Sequence, residues 1–594
     1  MKMPRLPLRL GGVLLAALLV IHCGHAVTTV PDKETIAPES GTGFLPRAGA
    51  TGSRSMVVAP TPQAAQAGRW VLSQGGTAAD AAIAMALNLT LTEPHASGIG
   101  GGAFLLHHDP QTQAVNAYDG RETAPAAARP TQFQDENGKP LRFFDAVVGG
   151  LSVGTPGAIR LYELVHKKHG GLPWATLFQP TIELAKRGFP MSARLHAHIA
   201  KDPWLSQDPT ARGYFYQTDG TPKAVGTLLK NPALAHTLQV IAQQGATAFY
   251  TGEIAARIVQ TVQKAHRRPG HLAVDDLAGY QAKERPVLCR PYRQWRICGM
   301  PPPTSGGIAT LQILGHLLRF PSDTVGADTP ESAHLFAESS RLAYADRGRY
   351  VADSDFVDTP VTALLEPAYL KSRSQLIQED RSMGVAMPGD PQPGRAEKAD
   401  DESLELPSTS HLAVVDSQGR AVTMTASIEY SFGSHLMVGG FLLNNELTDF
   451  SFRTQRNGRP IANRLEPRKR PRSSMSPTLV FDRDSGDLHL AIGSPGGSRI
   501  IGYVARALIR ILDGGLTIQE ALMRPNIINR NGKTEVESVP GWEDWAHKTV
   551  QILKALGHDA SIQELNSGLH GIQRTDTGWL GSADPRRDGL ALGE

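Results

Sequence analysis

Cysteine is scarce in this chain, with three in 594 residues. That excludes a scaffold stapled by many disulfides. No His or Cys stands at ligand spacing from them, so no metal site is expected. Neither sign of charge dominates: 60 Lys and Arg against 57 Asp and Glu leave a formal +3. Nothing resembles the basic stripe of a nucleic-acid binder, and clusters such as Arg468-Lys469-Arg470 read as solvated loop. No apolar run after Ile21 is long enough for a transmembrane helix, and no internal repeat is visible. The remaining composition, 41% hydrophobic and 20% charged, is ordinary for globular proteins. The length suffices for a large core and several domains.

The N-terminus sets Lys2, Arg5 and Arg9 ahead of an apolar run, Leu10 to Ile21, followed by the small residues Gly24 and Ala26. That order reads as a secretory leader over residues 1–26, cut after Ala26. A lipid anchor on Cys23 is the second reading, disfavoured by His22 just before it. Losing the leader takes three positive charges and brings the formal charge from +3 to 0. The expected product is soluble and periplasmic or secreted. Its two cysteines, Cys289 and Cys298, lie in PVLCRPYRQWRICGM. A turn on Arg293-Gln294 sets them opposite each other in a hairpin, about 4.5 Å apart. That is the short end of disulfide spacing, so a bridge and two free thiols both remain open.

Residues 383–407 are charged and turn-rich, a composition expected to lack stable structure. HLAVVD, a Gln-Gly turn and AVTMTASI then read as strand, turn and strand. Thr409 stands on that boundary. Were the chain cut before it, the freed amine would serve as general base for the threonine's own hydroxyl. Upstream, an alanine-rich helix from Thr77 is followed by a glycine loop (Ser97 to Gly102) and strands up to Gly120-Arg121-Glu122. Residues 172–347 read as mainly helical apart from the cysteine hairpin, with amphipathic stretches at Trp174 to Lys186 and Ser332 to Arg347. Helices are also expected at Ile308 to Leu318 and Ile500 to Leu512, and a strand at Leu488 to Ile492. Strands in both halves with helices around them imply stacked sheets under helical outer layers.

Gly98-Ile-Gly-Gly-Gly-Ala103 spells a dinucleotide fingerprint, but a helix precedes it and a strand follows, the reverse of what that motif needs. Its glycines read instead as points of close backbone packing. Gly496-Gly497, between a strand and a helix, lacks the lysine of a phosphate loop. Two readings stand: N–H groups offered to an oxyanion, or a turn needing positive φ. Ser473-Ser474 sets two hydroxyls before a strand, and Asn444 to Asp449 supplies amides and carboxylates after one. Arg121 and Asp449 have opposite charges suited to the two ends of an amino acid.

Taken in order, eight segments resemble the γ-glutamyltranspeptidases, members of the N-terminal-nucleophile hydrolases. They are DAAIAMALNLTLTEPHASGIGGGAF, GRETAP, MPPPTSGG, TSHLAVVD, LLNNELTDF, RPRSSMSPTLV, GSPGGSRII and ALMRPNIINRNG. The resemblance implies an α+β fold, a four-layer αββα sandwich, built jointly by two pieces of one self-cleaving precursor. These would be a large subunit, 27–408, with its flexible end at 383–408, and a small catalytic subunit, 409–594. Residue by residue, Thr409 matches the nucleophile and new N-terminus, and Ser427 falls where a threonine usually supports it. Gly496 and Gly497 match the oxyanion hole. Arg121, Ser473 and Ser474 match the groups that hold the donor α-carboxylate, and Asp449 the acid on its α-amine.

Two departures are visible: Glu429 where many members have Asn, and Glu446 where many have Gln. Both are expected to face the donor's amine. Residues 450–472 contain no tyrosine, which implies a shorter or open cover rather than a tyrosine-gated lid. The implied activity is hydrolysis and transfer of γ-glutamyl groups from glutathione and related amides to water, amino acids or peptides, with no metal or organic cofactor. A glutaryl (cephalosporin) acylase of the same family is the alternative, opposed by the three acids. A non-catalytic exported binding protein would require Thr409 to be idle and the chain to stay uncut.

Overall fold

Successive residues of the strand Ser410–Val415 point to opposite faces, and both faces are apolar: Leu412 and Val414 enter one core, Ala413 and Val415 another. A strand buried on both sides must lie inside a stack of layers. The computed structural model describes Met1 and residues 41–394, 398–401, 403 and 405–594. The leader read at residues 1–26, Met1 apart, and Cys23 with it lie outside the described residues. Two seven-stranded antiparallel sheets face each other. One runs, edge to edge, Ala50–Gly52, Gly578–Ala583, His570–Thr575, Leu488–Gly493, Thr478–Asp482, Trp295–Gly299, Leu288–Tyr292. The other runs Leu590–Gly593, Met56–Ala59, Ser410–Val415, Ala421–Ser427, Gly102–Asp109, Ala114–Asp119, Lys283–Arg285.

Helices cover both outer faces. Pro62–Ser73 and Ala78–Thr92 pack on the second sheet. Gly306–Leu317 and Ile500–Leu512 pack on the first, with Pro330–Tyr350 against Gly306–Leu317. The protein is therefore the four-layer αββα sandwich that the resemblance implies. Ala78–Thr92 is buried throughout and starts at a capping box, in which Thr77 and Asp80 satisfy each other's backbone N–H groups. The helix expected from Trp174 to Lys186 divides into a 3-10 turn, Trp174–Phe178, and a helix, Gln179–Arg187. Pro180 causes the break, since proline fits the first helical turn but not the interior. Cys289 and Cys298 are opposite each other across the Arg293-Gln294 turn and are bridged, with Cα atoms 4.1 Å apart. Among the described residues no helix is long and apolar enough to cross a membrane.

Residues 383–408 contain no helix or named strand among those described, yet they are tied down. The Met383 N–H donates to Glu338, the Ala386 N–H to Asn531 and the Asp401 N–H to the Gly348 carbonyl. Glu405, Leu406 and Ser408 are buried. A charged, proline-rich stretch reads as unstructured because its partners lie far away in sequence.

Candidate active site

Register sets the centre of the site. In the pairing of Ser410–Val415 with Ala421–Ser427, Ser410 lies opposite Ala426, so Thr409 comes opposite Ser427 where the sheet ends. The Thr409 hydroxyl donates to the carbonyl oxygen of Ser408, the residue immediately before it. The Ser427 hydroxyl donates to the same oxygen at 3.1 Å and lies 3.4 Å from the Thr409 oxygen. Ser408 is held from the other side by its own hydroxyl, which donates to the His95 carbonyl at 2.8 Å. Ser410 is anchored through its hydroxyl to Glu93. One peptide carbonyl thus accepts from two buried hydroxyls while the backbone on either side is fixed.

Around this bond, Arg121, Ser427, Glu429, Glu446, Asp449, Ser473, Ser474 and Gly497 line one cleft with Thr409. Gly496 adjoins Gly497. Only about 20 Å³ of the cleft is open, because Glu405, Leu406 and Ser408 run through it. Gly496 and Gly497 both have positive φ, 131° and 59°, which only glycine adopts cheaply. The Leu406 carbonyl lies so near Gly497 that a Cβ there would come within 2.6 Å of it. The glycines at 100 and 101 do allow close packing: a Cβ on either would sit 2.0 Å from the carbonyl oxygen of Leu442 or Ser427.

The charged groups pair differently from the simple expectation. Arg121 is fully buried and donates to both Glu446 and Asp449, as well as to the carbonyls of Pro471 (3.2 Å) and Arg472 (2.9 Å). The arginine assigned to a substrate carboxylate therefore pairs with two of the acids assigned to the amine. The Ser474 hydroxyl donates to a carboxylate of the chain itself, Glu405, which also pairs with Arg347 and Arg472. Sequence reasoning missed Glu405, Arg347 and Arg472; no spacing linked them. Ser305 lies in the segment MPPPTSGG, for which the sequence gives no role. Its hydroxyl donates to the Ser473 carbonyl at 2.7 Å and accepts from Arg347 at 2.7 Å, fixing the serine pair.

Burial governs the proton affinities. Burial alone would raise Glu405, but Arg347 and Arg472, with the Ser474 hydroxyl, hold it down to about 2. For Asp449 burial outweighs Arg121 and lifts the carboxyl to about 7. Burial, then repulsion from Asp449, keeps Glu429 well above its usual range. Glu429 also has φ +76°, a left-handed conformation costly for most side chains. Asn would tolerate it better.

Glu122 lies beside Arg121, wholly buried, with no hydrogen-bond partner for either oxygen among the described residues. Burial pushes it up to about 8. A folded-state pKa raised above the unfolded value makes folding cost more as pH climbs from 4.5 to about 8. Each pH unit in that window is worth about 1.4 kcal/mol. In a chain blocked by Thr409→Ala, Glu122→Gln is therefore expected to reduce the fall in Tm between pH 4.5 and pH 8. Parallel melting curves for the two chains would show that Glu122 ionises freely.

Comparison with known proteins gives a consistent picture. The family model described as gamma-glutamyltranspeptidase matches residues 64–594. The glutathione hydrolase proenzyme of Bacillus subtilis strain 168 is 36% identical over 554 residues, covering 91% of this chain and 92% of that protein. The glutathione hydrolase proenzyme of Escherichia coli K12 is 34% identical over 602 residues, 99% of each. Among solved structures, a cephalosporin acylase from Bacillus halodurans superposes with a TM-score of 0.80 at 26% identity, covering 94% of this chain and 99% of that one.

Proposed function

This chain belongs to the gamma-glutamyltranspeptidase family, and we propose that it works as an exported, self-processing γ-glutamyl hydrolase and transferase. Glutathione and related γ-glutamyl amides are its donors. The leader leaves after Ala26, and the chain cuts itself between Ser408 and Thr409 into a 27–408 and a 409–594 piece that stay together. The observation that carries this reading is the contact of the Thr409 and Ser427 hydroxyls with the Ser408 carbonyl. The Thr409 oxygen adds to that carbonyl carbon, the C–N bond breaks, and the nitrogen takes the hydroxyl proton. The resulting ester is hydrolysed by water, leaving a Ser408 carboxylate and a free Thr409 amine.

In the cut enzyme the same hydroxyl attacks the donor's γ-carbonyl, and the new amine accepts its proton. The Gly496 and Gly497 N–H groups face the developing oxyanion. The leaving amine departs protonated, and water or an acceptor amine then releases the γ-glutamyl group from Thr409. Arg121, Ser473 and Ser474 hold the donor α-carboxylate, in the region now occupied by the Glu405 carboxylate. Glu429, Glu446 and Asp449 receive the α-ammonium, whose charge lets carboxyls raised by burial ionise. A glutaryl donor would leave those three acids with no amine to bind, which weighs against the acylase reading despite the structural likeness. No cofactor enters this chemistry.

The test is to quench the enzyme during turnover of glutathione and map the modified peptide by mass spectrometry. A γ-glutamyl ester on the N-terminal Thr409 of the smaller fragment is expected. Turnover with the acyl group on another residue, or with none, would refute the assignment.

A further inference from the structure

The linker that fills the donor cleft also fills a second space beside it. Leu406 is buried, and its N–H donates to the Glu429 carboxyl at 3.3 Å. It clusters with the buried Phe143, Val147 and Val148, and Phe144, Trp204, Tyr430 and Phe452 pack against that cluster to form a nest rich in rings. The rings support one another: Phe144 stacks on Trp204 with centroids 4.7 Å apart and meets the edge of Tyr430 at 5.5 Å. Phe144, Trp204, Tyr430 and Phe452 are only half-buried even with Leu406 in place, so the nest opens toward solvent. Phe143 and Phe452 also wall a neighbouring cavity of about 290 Å³, which leaves room beyond Leu406.

We propose that this nest is the subsite for the amine half of the substrate and that it selects apolar and aromatic amines. The inference rests on the γ-glutamyl transfer reading. A donor cannot reach Thr409 or Ser474 while Glu405, Leu406 and the Ser408 carbonyl cover them, so turnover requires the linker to be out of the cleft. Leu406 then vacates an aromatic pocket one residue from Glu429, a proposed ammonium ligand. The γ-glutamyl half has no side chain to place there, because its carboxylate and ammonium ends are already held. What varies between donors is the amine, and an acceptor amine attacks from where the leaving amine departed. Apolar leaving groups and apolar acceptors are therefore favoured together.

The experiment compares kcat/KM for hydrolysis of γ-glutamylglycine, γ-glutamylleucine and γ-glutamylphenylalanine by the processed enzyme, and by Trp204→Ala and Trp204→Phe. Denaturing gels check that each variant has cut itself. The wild type is expected to favour the phenylalanine amide over the glycine amide by roughly tenfold or more. Trp204→Ala is expected to shrink that ratio several-fold by losing most on the phenylalanine amide, and Trp204→Phe to keep most of it. The same order is expected among glycine, leucine and phenylalanine as acceptors with glutathione as donor. A flat series in the wild type, or equal losses on all three amides in Trp204→Ala, would overturn the subsite. If Trp204→Ala fails to mature, the wild-type series and Trp204→Phe still decide. Absence of turnover on every amide, glycine included, would instead sink the parent reading.

Discussion

Thr409→Ala is expected to accumulate as one uncut chain with no measurable γ-glutamyl hydrolysis. Both losses share one origin in the proposed mechanism, where the hydroxyl that reaches the Ser408 carbonyl is also the one that takes the acyl group. Ser427→Ala is the graded companion. It removes one of two hydroxyls on that carbonyl oxygen and leaves the attacking group in place. Loss of one preorganised donor to a developing oxyanion typically slows a reaction about 10²–10³-fold. Cutting is thus expected to continue at a reduced rate, followed on a denaturing gel, with Thr409 as the new N-terminus. Cutting of Thr409→Ala at the same bond by the purified chain alone would refute self-processing.

Asp449→Asn is expected to separate substrate classes. The replacement keeps shape and removes the charge proposed to face the donor ammonium, a contact worth about 1.5–3 kcal/mol. Turnover of γ-glutamyl amides is expected to fall by roughly ten- to more than a hundredfold, since about 1.4 kcal/mol is a factor of ten. Turnover of glutaryl analogues, which have no ammonium, is expected to change far less. Measuring both donors on one variant cancels general damage to the fold and to the Arg121 pairing. Equal losses, or a wild type that prefers the glutaryl amide, would favour the acylase.

Much of this site is legible in the sequence because its residues sit at visible boundaries. Thr409 lies where a turn-rich stretch meets an apolar strand, Gly496-Gly497 where a strand meets a helix, and Ser473-Ser474 ahead of a strand. The register that sets Ser427 opposite Thr409 follows once the two strands are read as a hairpin. The layering is harder to read. Strands buried on both faces lose the alternation that marks a half-exposed sheet, so the layering follows from the order of strand and helix segments and from the resemblance rather than from periodicity. Three further features were hidden because they depend on residues brought together only by folding. Glu405 and Leu406 thread the cleft, Arg121 pairs with the acids rather than standing free, and the aromatic nest draws on residues 143 to 452. The cysteine pair was a matter of two permitted outcomes, and spacing alone could not choose the bridge.

The order of strands has a consequence for the life history of the molecule. Strand Met56–Ala59, upstream of the proposed cut, lies between Ser410–Val415 and Leu590–Gly593, both downstream of it. In the other sheet, Trp295–Gly299 pairs with Thr478–Asp482 across the same divide, and Ala50–Gly52 with Gly578–Ala583. Two fragments interleaved in this way have no path of separation short of dismantling both sheets. They would remain together without a covalent link, and their durability would be set by the rate of unfolding rather than by an association equilibrium. Assembly, by contrast, becomes a single opportunity. Before the cut every pairing is intramolecular, whereas afterwards a denatured enzyme must bring two chains together at their actual concentration. Renaturation yield is thus expected to depend on protein concentration for the cut enzyme but not for its Thr409→Ala precursor.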